Sequence, residues 1–91
     1  MPFIITRINV GDFDTWKPSF DKDLPHAREE ATGYRLFRNA EEPNEVFVQI
    51  EFASPADART ARGRLLSSGV LDRFEDKSGP TLVEEVETVR R

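Results

Sequence analysis

The segment Glu45-Val46-Phe47-Val48-Gln49-Ile50-Glu51-Phe52 sets Val46, Val48, Ile50 and Phe52 on one parity and Phe47, Gln49 and Glu51 on the other. A period of two makes this a strand with one wholly apolar face, which the fold must cover. Just beyond it, Ser54-Pro55-Ala56-Asp57 supplies a serine cap, a proline at the first helical position and an acid that can answer the cap. A helix is therefore expected from this point to about Ser67. Its stripe of Ala58, Ala61, Leu65 and Leu66 is small enough to lie close on a sheet, with Arg59, Arg62 and Arg64 leaning into solvent.

The remaining segments build outward from this unit. Phe3 to Val10 is β-branched or aromatic on both parities and reads as a first strand, which Gly11 ends. Asp12 or Asp14 then caps a helix with apolar positions Phe13, Trp16, Phe20, Leu24, Ala27 and Ala31. Pro18 and Pro25 each remove a helical hydrogen bond, and a kink or break is expected near Leu24. Gly33 releases the chain into a second strand, Tyr34 to Asn39, joined to Glu45–Phe52 by a turn at residues 40–44. Val70, Leu71 and Phe74 suggest a short helical segment, which Ser78-Gly79-Pro80 ends before a last strand from Thr81 to Val89.

The order strand, helix, strand, strand, helix, strand predicts an α+β fold of the ferredoxin-like βαββαβ type: one domain over residues 1–91, a four-stranded antiparallel sheet with both helices on one face. The covered face is expected to carry Ile4, Ile8, Val10, Leu36, Val46, Val48, Ile50, Leu82 and Val86. The other face would carry Phe3, Ile5, Phe37, Phe47 and Val83 beside Arg7, Arg35, Gln49, Glu51, Glu85 and Glu87. Leaving five large apolar side chains wet forgoes about 1.5 to 3 kcal/mol each. At 91 residues, the chain buries only about 60 to 65% of its unfolded surface, so it has little core to spare. A homodimer that joins two such faces into a barrel relieves both shortages, with Phe3, Ile5, Arg7, Phe37, Phe47, Gln49, Glu51, Val83 and Glu85 at the interface.

Charge and composition narrow the function classes. Thirteen basic against 17 acidic residues give a net charge of −4, and the basic residues are scattered. This argues against a nucleic-acid or anionic-membrane partner. With no cysteine, the chain has no disulfide, thiolate nucleophile or thiolate zinc site. No apolar run approaches the roughly 18 residues of a membrane span, and Met1–Arg7 lacks the character of a signal peptide, so a cytoplasmic location is expected. An RNA-recognition motif shares the element order, but Gln49 stands where a stacking aromatic is needed, no Arg/Lys-Gly precedes Phe47, and the pI is about 5.0.

Four stretches resemble the dimeric α+β barrel superfamily, in particular antibiotic-biosynthesis-monooxygenase-like domains and small cyclase-like proteins. They are Asp12-Phe13-Asp14-Thr15-Trp16-Lys17-Pro18-Ser19-Phe20-Asp21, Gly33-Tyr34-Arg35-Leu36-Phe37-Arg38, Glu42-Pro43-Asn44-Glu45-Val46-Phe47-Val48, and Glu51-Phe52-Ala53-Ser54. The resemblance implies a homodimer with a small pocket between sheet and helices in each subunit. It also implies an activity among cofactor-free oxidation of aromatic polyketides, haem breakdown and ring cyclisation. Haem-degrading relatives use an asparagine on the first strand, a tryptophan and a histidine in the second half of the chain. Here Asn9 falls on the dimer-face parity, Trp16 belongs to the first helix and the second half has no histidine, so no catalytic residue carries over.

Few residues carry chemistry. His26 is the only histidine and the only side chain whose ordinary pKa suits proton transfer near neutrality. A surface histidine near Glu29 and Glu30 fits the same spacing, and a metal site would need more ligands, so none is expected. Trp16 and Phe20, one turn apart, can wall an aromatic pocket with Tyr34 and Phe74 opposite, or simply pack as core. Tyr34, the only phenol, can donate to a ligand carbonyl. Two readings follow: a homodimeric small-molecule-binding domain, such as a cofactor-free oxygenase or cyclase acting on an aromatic or polyketide-like substrate, or a non-catalytic dimerisation or ligand-sensing module.

Overall fold

A computed structural model describes all residues 1–91. Its elements are β1 (Pro2–Asn9), α1 (Phe13–Asp21), β2 (Ala31–Arg38), β3 (Glu45–Phe52), α2 (Pro55–Ser68) and β4 (Lys77–Glu84). The four strands form one antiparallel sheet in the order β2-β3-β1-β4. This is the expected ferredoxin-like arrangement. The alternation along β3 sets the layer: Val46, Val48, Ile50 and Phe52 are buried together with Ile4, Ile8 and Val10 of the first strand and its continuation. Ala58 and Ala61 of α2 pack onto Ile4, Val48, Ile50 and Phe52. Trp16 of α1 packs with Ile8, Val10, Val46 and Leu71. No helix is long and apolar enough to cross a membrane.

Both helix starts follow local chemistry. Asp12 caps α1, its carboxylate accepting from the Asp14 N–H at 3.1 Å and from the Thr15 hydroxyl at 3.1 Å. The Ser54 hydroxyl accepts from the Asp57 N–H at 3.2 Å, with Pro55 in the first turn, and Gly69 closes α2 in the left-handed conformation.

Elsewhere the expected boundaries move. The first helix stops at Asp21, short of Leu24, and does not resume: Asp23 and His26 take positive φ around Pro25 and the chain turns. The proline ends the helix outright, leaving Leu24 65% exposed. The second strand starts at Ala31 instead of Tyr34, because β3 extends to Phe52 and pairs with Ala31, and Gly33 lies inside the strand at a register shift. Residues 70–74 form turns, not a helical segment: the Asp72 N–H donates to Gly69 O and the Phe74 N–H to Leu71 O. Leu66 is 58% exposed, outside the buried stripe of its helix.

The last strand differs most. It begins at Lys77 and ends at Glu84, so Ser78-Gly79-Pro80 lies within it and Val86 is 92% exposed, off the covered face. Its length is set by its neighbour. Pro2, the first residue of β1, pairs with Glu84, and the Glu85 N–H donates to Met1 O just beyond. Gly79, at φ +91° opposite a bulge between Ile5 and Arg7, makes the pairing possible: a Cβ there would sit 2.6 Å from Ile5 O.

On the face away from the helices, the register aligns Phe37, Phe47 and Arg7 in one row, Arg35, Gln49, Ile5 and Thr81 in a second, and Glu51, Phe3 and Val83 in a third. Ile5 is 40% and Phe37 46% exposed. Glu85 lies just past the strand and Glu87 further along the tail, so neither is held in the sheet as expected. Arg7 bonds Glu45 Oε2 at 2.9 Å and also Asp76. The hydrogen bond to Asp76 holds its guanidinium more firmly protonated than usual, against a smaller opposing effect of desolvation.

Candidate functional site

A cavity of about 140 Å³ opens between α1, the α1–β2 turn, the sheet and the 70–74 turn. Trp16 and Phe20 come to it from one face of α1, their ring centroids 4.9 Å apart. Ile8, Val48 and Ile50 form its floor, and Leu71 and Phe74 close the far side. Thr6, the one polar residue among the buried set, reaches it from β1. The wall is thus apolar and aromatic with a few polar groups, the composition of small-molecule sites in general.

Three of the four pocket residues expected from sequence, Trp16, Phe20 and Phe74, line this cavity; Tyr34 does not. The Tyr34 ring lies edge-on to Phe20 at 5.8 Å and is half exposed on β2. Arg28 separates it from the cavity, its guanidinium over the Phe20 ring at 3.9 Å and the Tyr34 ring at 4.7 Å. His26 also stands outside. Its Nδ1 meets Glu29 Oε1 at 2.6 Å on the surface, and its carbonyl accepts from Arg64 at 3.0 Å. No group of three or more potential metal-ligating side chains forms anywhere.

Sequence reasoning missed three charged residues of the wall: Asp23, Arg28 and Arg73. Asp23 accepts from the Ala27 and Arg28 N–H groups at 3.1 and 3.0 Å and pairs with the Arg28 Nε at 3.4 Å. Arg28 also donates to Phe20 O. These bonds fold the α1–β2 turn over the cavity and leave Asp23 and Arg28 satisfied by each other. Pro25 was the one local signal of such a turn, whereas the pairing across it depends on the positive φ of Asp23 and His26.

A second, open cleft of about 600 Å³ lies outside the first and shares Trp16, Ser19, Arg73 and Phe74 with it. Its other lining is mostly polar, including Asn9, Asp12, Thr15, Glu75 and Asp76. The inner cavity is thus almost wholly apolar, whereas the outer cleft mixes apolar surface with polar and acidic side chains, and four residues stand at the boundary.

No protein-family profile and no curated protein matches the chain. Solved structures do. A variant of SnoaB, a cofactor-independent oxygenase from Streptomyces nogalater, superposes with a TM-score of 0.73 at 15% identity, over 99% of this chain and 97% of that one. An antibiotic biosynthesis monooxygenase gives 0.68 at 18% identity, over 96% and 100%. A candidate enzyme of the same kind from Deinococcus radiodurans gives 0.66 at 12% identity, over 100% and 98%. The chain has the fold of the antibiotic-biosynthesis-monooxygenase-like α+β proteins along its whole length.

Proposed function

We propose that this protein is a homodimeric binder of a small aromatic molecule and, within that, a cofactor-free oxygenase of the monooxygenase-like type. One observation carries the reading. A chain so short of core leaves about 140 Å³ open beside Trp16, Phe20 and Phe74, where filling the space with side chains would have added stability. The likeness of fold to SnoaB, a cofactor-independent oxygenase, supports the choice of chemistry.

In such a reaction a hydroxylated ring supplies the electrons: the methylene of its keto tautomer and one O₂ become a carbonyl and one water. The protein's part is to hold the ring against Trp16 and Phe20, exclude water and present Thr6 and Ser19 as hydrogen-bonding groups. His26 and Tyr34 take no direct part, since both lie off the cavity.

Oxygen uptake by the purified protein with hydroxylated aromatics, without added metal or flavin, tests the proposal. Uptake above the uncatalysed rate, with the oxygenated product identified by mass spectrometry, is expected. The second reading, a non-catalytic ligand sensor, is favoured by the absence of an uncommitted acid or base from the cavity wall: Asp23 is its only carboxylate and is engaged by Arg28. Binding of aromatics without oxygen uptake would decide for the sensor.

A further inference from the structure

We propose that the ligand is a single-ring aromatic carboxylate, its ring in the inner cavity and its carboxylate on Arg73 at the mouth. The inference rests on the aromatic-binding reading above and narrows it by size and charge.

Size comes first. An engineered apolar cavity of about 150 Å³ takes up benzene. The inner cavity here, at about 140 Å³, matches one ring, and a fused two- or three-ring compound would have to extend into the outer cleft, among the carboxylates of Asp12, Glu75 and Asp76. Such a compound gains little from burial while displacing water from Asp12 and Glu75.

Charge selects the substituent. Of the two guanidinium groups on the inner wall, Arg28 is neutralised by Asp23. Arg73 makes no ion pair, and its only close partner is the Phe74 ring at 4.8 Å. Arg73 belongs to both the inner cavity and the outer cleft, as does Ser19, so a group leaving the cavity passes between a cation and a hydroxyl. A planar carboxylate matches the guanidinium fork and can also accept from the serine.

The outer cleft limits the linker. Asp76 is held by Arg7 and Asp12 by its helix cap, but the carboxyl groups of both still line the cleft, as does that of Glu75. A carboxylate on a long chain would be carried past Arg73 toward these acids. One attached directly to the ring stays at the mouth.

The test uses the fluorescence of Trp16, the chain's single tryptophan, with four probes: benzoate, benzyl alcohol, 4-phenylbutyrate and anthracene-2-carboxylate. Benzoate is expected to bind at least tenfold more tightly than each of the other three. The Arg73→Gln protein, altered at an exposed side chain, is expected to bind benzoate at least tenfold more weakly and benzyl alcohol unchanged, with the same thermal midpoint as the parent. Equal affinity for benzoate and benzyl alcohol, tighter binding of the three-ring acid, or equal weakening of both one-ring probes by Arg73→Gln would overturn the inference while leaving aromatic binding intact. Failure of all four probes to perturb Trp16 or raise the thermal midpoint would overturn the aromatic-binding reading as well.

Discussion

Phe37→Glu is the perturbation that bears most directly on assembly. Phe37 projects from β2 on the face away from the helices, beside Phe47 in the paired register, and 46% of it is exposed in the single chain. A phenylalanine side chain offers about 200 Å², so joining two copies of this face would bury close to 90 Å² from each Phe37. At about 25 cal/mol per Å² this is about 2 kcal/mol per protomer. Two-fold symmetry applies the substitution twice, which brings the loss to about 4 to 5 kcal/mol before the cost of facing two carboxylates is added. The dimer dissociation constant should therefore rise by roughly three decades or more. Sedimentation equilibrium across the nanomolar to high-micromolar range measures this, with circular dichroism to confirm that the variant keeps its fold. A parent protein that stays a 10.4 kDa monomer throughout, or a variant that dimerises as tightly as the parent, would refute the face-to-face assembly.

Further outcomes follow from the same geometry. Gly79→Ala forces a Cβ to within 2.6 Å of Ile5 O at a φ of +91°, and should destabilise the fold by about 2 to 4 kcal/mol in urea denaturation. Ser54→Ala removes the hydroxyl that accepts from the Asp57 N–H and should cost about 1 kcal/mol by the same measurement, restored in large part by Ser54→Asp. His26→Ala, at a surface position outside the cavity, should leave aromatic affinity within twofold of the parent by fluorescence titration, whereas Trp16→Ala removes a side chain only 7% exposed and should lower stability by about 3 to 5 kcal/mol in urea denaturation.

The candidate site was legible in outline. Trp16 and Phe20 stand four residues apart, so a helix sets them on one side whatever it packs against, and both line the cavity. Tyr34 shares the covered-face parity with Leu36, yet β2 is an edge strand, and the Arg28 side chain inserts between its ring and the cavity. His26 stood out because only one histidine exists. That is a fact about composition and carries no information on position. Arg73 passed unnoticed because its value lies in what it lacks, a carboxylate partner, which only three-dimensional proximity can reveal.

Local patterns determined the element order, the covered face and both helix caps, because period, parity and the first-turn residues are properties of consecutive side chains. Strand limits belonged to the tertiary structure. The last strand ends at Glu84, opposite Pro2 at the start of β1, and it begins before Gly79-Pro80 because β1 runs on to Asn9. The cavity, too, was decided there: it is the space left where a proline-terminated helix, a turn pinned by Asp23 and Arg28, and the sheet fail to close completely. No single segment of the chain contains that gap.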